Sequence, residues 1–369
     1  MNICTKRLLS LIKQICTIPS PSGLEATKVE FIKHWLMEHG ASNCVIDEKN
    51  NAIVSYGDLD LPKIVFMAHI DTVYSLDVDL KIKENDEIIK CPSVSDNSAN
   101  VAGLMLAIEQ LIKNRIVFNN YSMMFVFSTC EEGLGNSDGC RYFMGTHKNI
   151  KEFYAVDGPY SSILCDAVGS HRYEISVYTK GGHSYSAFGN ENSIHIIAQI
   201  ISDLYKISPP KKDKITFNVG TIKGGTTINS IASSASILYE YRSDSDESLN
   251  YMQNIFNEII SKYQGSDCTI EVKTLGNRPC SKDVDHDAQE LLLERIEKIH
   301  QKVLGRVNPR GISCTDSSIP LSMGIPASSI SVYLGEGNHS ANDELLYKHS
   351  LADGVQLLMN IILSYCKMI

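Results

Sequence analysis

Two histidines and a set of carboxylates, spread over most of the chain, are the residues whose types could do chemistry together. His69 and Asp71 lie two apart in KIVFMAHIDTVYS, and Asp96, the pair Glu131-Glu132, Asp157 and His339 follow. Each falls at or just past the end of an apolar run, or in a short loop ahead of a helix. A carboxylate in such a place loses hydration unless it is paired or bound to a cation. Oxygen and imidazole donors suit zinc, and cobalt or manganese accept them too. Two such ions about 3.5–4 Å apart can activate one water between them. Taken singly, each residue has a plainer explanation, a core histidine or a solvated Glu-Glu loop. Their recurrence at strand ends favours a hydrolase with two divalent metal ions.

Such a centre needs different work from similar groups. One carboxylate must serve both ions, and Asp96, in SVSDNSAN ahead of a helix, suits that place. Asp71 follows His69 by two on a strand, so both point to one side and Asp71 can hold the imidazole from behind. Of two adjacent glutamates only one can readily bind metal, which leaves the other free to move a proton.

The elements that would position these groups alternate in type. Residues 26–39 put Val29, Ile32, Trp35 and Leu36 on one helical face, and Gly40 closes the helix. The runs 63–70, 122–129 and 152–158 read as strands covered on both faces, and 101–114 as an amphipathic helix. This predicts an α/β layered catalytic domain with a central mixed or parallel sheet, whose ligands gather beyond the strands' carboxyl ends. From about 171 the order becomes strand–helix–strand–strand–helix–strand, the ferredoxin-like pattern. In its first helix Ile194, Ile197, Ala198, Ile201 and Leu204 are expected to face inward. The expected division is a catalytic domain of 1–170 and 281–369, with 171–280 inserted as an α+β lid.

Bulk composition narrows the class. The 369 residues suggest two domains, and 43% hydrophobic with 21% charged content describes a globular chain. A net charge of −9 offers no footprint for nucleic acid or anionic membrane. The amino-terminal apolar stretch is broken by Lys13 and Gln14, so a packed helix is expected there rather than a signal peptide. Eleven scattered cysteines with no CxxC pair read as reduced thiols and a cytoplasmic location.

Several segments in order resemble the M20 metallopeptidase family, in its peptidase T-like branch. IPSPSGLE resembles the family's opening, AHIDTV its first metal motif and TCEEGLGNSDG its catalytic pair. TKGGHSYSAF and NVGTIKGGTTINSIASSASILYEYRS resemble the lid's turn and hairpin, and GEGNHSANDEL the closing motif. The resemblance implies one metal held by His69, Asp96 and Asp157, and the other by Asp96, Glu132 and His339. Glu131 would be the general base and acid. It also implies that His183 polarises the scissile carbonyl, that Asn229 binds substrate, and that Arg242 and Arg278 are anchors for a substrate carboxylate. Two chains could pair through their lids. The bridging segment CPSVSDNSANVAG departs from the family in carrying Asn100 where glycine is common.

The expected activity is amide hydrolysis on small peptides, an exopeptidase and specifically an aminopeptidase for di- and tripeptides. An N-acyl amino acid deacylase is the nearest alternative, since both substrates present the same amide. A non-catalytic scaffold is disfavoured because every expected ligand, the base and the lid histidine are present.

Overall fold

The apolar run at 63–69 forms a strand, Lys63–His69, buried along almost its whole length. Its alternate residues enter two cores: Ile64, Phe66 and Ala68 one, Val65 and Met67 the other. Ser122–Ser128 divides likewise, with Met123, Phe125 and Phe127 opposite Met124 and Val126. A sheet with helices on both faces explains why these strands read as continuous apolar runs instead of alternating ones.

The structure, a computed structural model, describes residues 4–265 and 267–366. Two compact units divide the chain, Met1–Ala167 with Ser281–Ile369, and Val168–Cys280. In the first, eight strands among the described residues form a mixed sheet. Lys63–His69 lies at its centre, parallel to Ser122–Ser128 on one side and to Ile150–Val156 on the other. Ala327–Ile330 continues the sheet parallel to Ile150–Val156. Helices Thr5–Cys16, Ala26–Glu38, Ala99–Lys113, His286–Leu304 and Leu351–Leu363 contribute to the larger core. Asp138–Thr146 and Ser318–Ser322 contribute to the smaller one. Because the central strands are parallel, His69, Glu131-Glu132 and Asp157 leave the sheet at the same edge.

A small four-stranded sheet was not anticipated from sequence. It runs Gly335–Glu336, Leu345–Tyr347, Ile88–Lys90, Lys83–Glu84. These strands are two or three residues long, too short to show an alternating pattern. Their role is positional: the hairpin between the first two carries His339, and the third leads into the Asp96 loop. Gly337 turns that hairpin at φ 73°, where a Cβ would lie 2.5 Å from the Asp343 carbonyl, so no side chain fits.

In the second unit the strands Gly169–Thr179, Ile215–Gly224, Ser234–Ser243 and Cys268–Arg278 alternate with helices Ser193–Leu204 and Asp246–Tyr263. All neighbouring pairs are antiparallel, in the spatial order second, third, first, fourth. This is the ferredoxin-like arrangement. One expectation needs correction. The buried face of Ser193–Leu204 is Ile196, Ile197, Ile200 and Leu204, while Ile194 and Ala198 are exposed. Apolar residues at 194, 196–198, 200, 201 and 204 fit two adjacent helical faces, and packing chose the one through Ile196 and Ile200. No helix among the described residues is long and apolar enough to cross a membrane.

Candidate metal centre

His69 ends its strand with its ring buried. Nε2 lies 3.0 Å from Asp96 Oδ1 and 3.7 Å from Asp157 Oδ1. On the opposite edge of the ring, Nδ1 is 3.5 Å from Asp71 Oδ1. The arrangement leaves one nitrogen facing the cluster and one braced from behind. His339 points its Nε2 at the other side of Asp96, 3.4 Å from Oδ2, and lies 2.9 Å from Glu132 Oε1. Asp96 therefore stands between two imidazoles, one oxygen toward each.

Three groupings of donor atoms lie within 4.8 Å of one another. They are His69–Asp96–Asp157, Asp96–Glu132–His339 and His69–Glu131–Glu132. The first two share Asp96. Glu131 joins neither of those, although it is buried beside them. The glutamate pair is held through its backbone: Asp71 accepts the N–H of Glu131 at 2.9 Å through Oδ1 and that of Glu132 at 2.9 Å through Oδ2. Ser22, from the SPSG segment, donates to the same Oδ2 at 2.6 Å. One aspartate thus orients the histidine and both glutamates.

Electrostatics describe a place built for positive charge. Burial alone would depress the His69 imidazole, but Asp157, Asp71 and Asp96 outweigh it and raise it well above its ordinary value. Hydrogen bonds to Asp96 and Glu132 push His339 up to about 10. Burial opposes ionisation of Asp96, yet His339 and His69 pull its carboxyl below the usual range. The carboxylates recruit protons onto the imidazoles to balance their charge. Divalent cations would supply that charge instead, and these nitrogen and oxygen donors fit them.

Asn100 is not a loose replacement for glycine. Its Nδ2 donates to Asn97 Oδ1 at 2.7 Å, and Asn97 Nδ2 donates to the Val156 carbonyl at 3.0 Å. The two amides tie the Asp96 loop to the strand that ends at Asp157.

The remaining candidates belong to the second unit. His183 lies in a two-stranded ladder, where Gly182–His183 pairs with Ser230–Ile231, and Asn229 sits in the turn just before the second strand. The Ser184 N–H donates to the Asn229 carbonyl at 3.0 Å, and His183 Nδ1 accepts from Tyr185 N at 3.2 Å. Arg242 and Arg278 flank Ser170 on neighbouring strands. Arg242 pairs with Glu240 at 3.0 Å, and Arg278 is buried.

Several buried acids escaped the sequence reading, Asp316 and Glu344 among them. Asp316 accepts from Ser128 Oγ at 2.7 Å through Oδ2, and burial pushes its carboxyl up to about 6. Glu344 accepts from the backbone of the Asp96 loop. Glu344 stood within a quoted motif, but only its burial marks it out.

A cleft of about 350 Å³ adjoins the cluster, lined by Asp96, Asp157, Tyr160, Glu336 and Asn338 among others.

Residues 65–364 match the family model "Peptidase family M20/M25/M40". The chain belongs to this family. It is a hydrolase of a metal-dependent peptidase family, in agreement with the resemblance read from its motifs. Among curated relatives, a "Probable carboxypeptidase" of Ajellomyces dermatitidis is 24% identical over 322 residues, covering 79% of this chain and 74% of the relative. Among solved structures, a tripeptidase of Staphylococcus aureus superposes with a TM-score of 0.76 at 21% identity, covering 99% of both chains. Aminopeptidase PepT of Bacillus cereus gives 0.73 at 22%, covering 99% and 100%. A dinuclear metal binding M20 peptidase of Bacillus subtilis gives 0.64 at 18%, covering 99% of both. At these identities the superpositions show the fold of this M20 member.

Proposed function

We propose that this M20 protein is an exopeptidase that removes amino-terminal residues from di- and tripeptides. The observation that carries the reading is the pair of donor sets sharing Asp96, with Glu131 buried beside them and outside both. His69, Asp96 and Asp157 would hold one ion, and Asp96, Glu132 and His339 the other. Zinc fits this mixture of donors, and cobalt or manganese accept it as well. The bound ions would supply Lewis acidity toward a substrate carbonyl and an attacking water.

The chain's own groups do the rest. Glu131 takes the proton from the attacking water and delivers it to the leaving amine. Asp71 keeps the His69 ring oriented and the backbone of Glu131 and Glu132 fixed. His183 polarises the scissile carbonyl, and Asn229, Arg242 and Arg278 hold the substrate. The 350 Å³ cleft has room for about one or two amino-acid residues, which suits a short peptide.

Peptidase over deacylase is supported by aspartate rather than glutamate at 157, which resembles the peptidase T-like branch, and by the tripeptidase and PepT superpositions. None of the eleven cysteines is joined in a disulfide, in keeping with a reducing cytoplasm.

Zinc-loaded protein should be given di- and tripeptides together with N-acyl amino acids, with products followed by mass spectrometry. Stepwise loss of amino-terminal residues is expected. Glu131→Gln should keep its metals and lose at least about a hundredfold in turnover. Near-normal turnover in that variant would remove Glu131 from its role. Release of amino acids only from acylated substrates would make the protein a deacylase.

A further inference from the structure

We infer that Glu344 is the positioning residue that sets Asp96 between the two donor sets, and so governs how tightly both ions are held. The inference rests on the dinuclear reading above and adds a determinant outside the ligands themselves. Glu344 is 1% exposed, and its carboxylate is saturated. Oε2 accepts from the Tyr74 hydroxyl at 2.6 Å and the Ser93 N–H at 2.8 Å. Oε1 accepts from the Ser95 N–H at 3.0 Å, the Ser95 hydroxyl at 2.9 Å and the Asp96 N–H at 2.9 Å. A carboxylate offers about four lone-pair sites, and five donors converge on this one.

The donors identify what is being held. Four of the five belong to the loop 93–96, and one of these is the backbone N–H of Asp96 itself. Ser93 is in the left-handed region at φ 63°, a conformation that a non-glycine residue keeps only when its surroundings impose it. Tyr74 stands three residues beyond Asp71, and Glu344 five beyond His339. One carboxylate thus fastens the segment after His69, the Asp96 loop and the His339 hairpin to one another. Asn338 adds a lighter tie, donating to Asp96 Oδ2 at 3.2 Å.

Asp96 is the one residue common to both donor sets. A shift of its backbone therefore disturbs both ions together, whereas loss of a ligand private to one set disturbs one. A buried carboxylate that merely stabilised the fold would lower the melting temperature without this signature.

The test uses the full chain with Glu344→Gln and Tyr74→Phe. The glutamine keeps the shape but turns an NH2 group toward N–H donors, and the phenylalanine removes a single donor. Zinc affinity at both positions is measured by competition with a chelator, the ligand field by cobalt absorption, and folding by circular dichroism. Glu344→Gln is expected to fold, to bind both ions about 10- to 100-fold more weakly, and to alter the cobalt spectrum. Wild-type affinities in folded Glu344→Gln overturn the inference, as does weakening of one ion alone. If Glu344→Gln does not fold, Tyr74→Phe decides: weaker binding of both ions supports the inference, and unchanged binding overturns it. Wild-type protein that binds fewer than two ions overturns the dinuclear reading and this inference with it. Two tight ions in wild type and Glu344→Gln alike overturn the inference alone.

Discussion

His339 is the most open member of the cluster, with 54% of its side chain exposed against 2% for His69. It is also left-handed at φ 65°. Its removal should therefore leave the buried set intact. His339→Ala takes away the single imidazole of the Asp96–Glu132–His339 grouping and touches nothing in His69–Asp96–Asp157. The variant is expected to retain about one ion per chain after dialysis against metal-free buffer, by elemental analysis, where the wild type retains two. Two full ions in the variant would show that His339 is no ligand. The gathering of His69, Asp71, Asp96, Glu131, Glu132, Asp157 and His339 was legible because their types and strand-end positions recur together. Glu344 and Asp316 were not. A single acid in NDEL or CTDS carries no periodicity, and what distinguishes it is burial against a distant segment, such as Ser128 for Asp316.

At the scale of elements, apolar periodicity located Ala26–Glu38 to within a residue, but it says nothing of a charged residue enclosed by the fold. Lys28 reads as solvent-facing, yet it is 1% exposed. The helix packs against Ala99–Lys113 and the strands Val45–Ile46 and Ala52–Tyr56, and the Lys28 amine is enclosed with Cys16, Asp71, Cys91 and Glu25 near enough to act on its charge. Burial depresses that amine to about 8, and the neighbouring acidic groups only partly offset it. Its ordinary value, near that of the unfolded chain, is 10.5. The unfolded state thus binds more protons between about 8 and 10.5, and stability rises with pH across that window. Below 8 the full cost is present. Lys28→Met should stabilise the metal-free protein at pH 7 by up to about 3 kcal/mol, and the gain should fade as pH climbs from 8 to 10.5. Urea unfolding of both proteins at pH 7, 8, 9 and 10 measures the difference. A gain that stays constant with pH would mean that Lys28 is not the titrating group. The short strands around the His339 hairpin were invisible for a different reason. Two- and three-residue strands are fixed by their partners, not by any pattern of their own.

For the whole molecule, strand–helix alternation followed by the ferredoxin-like order was enough to read the architecture, since each pattern is set by local hydrophobic period. Assembly is not. The second unit ends its sheet with Ile215–Gly224, paired on one side by Ser234–Ser243 and on the other by no strand among the described residues. Lys223 is its single charged residue, it contains no proline, and Ile222 is 58% exposed. Proteins usually guard such an edge with charge, proline or a bulge. This one has a register shift between Val219 and Thr221, but the segment beyond it, Thr221–Gly224, still pairs regularly. A second copy of the chain, added along that edge, would satisfy its free backbone groups and cover Ile222. Two-fold pairing makes each substitution appear twice in the interface. Ile222→Glu should then place a pair of acidic groups there and weaken association by at least about tenfold. Analytical ultracentrifugation at micromolar concentration is expected to find wild-type chains in pairs and the variant at single-chain mass, with the cluster around Asp96 still binding its ions. Wild-type chains that sediment singly at every concentration would refute pairing through this edge. The metal centre would be untouched by that result, because all the donors grouped around Asp96 come from the first unit.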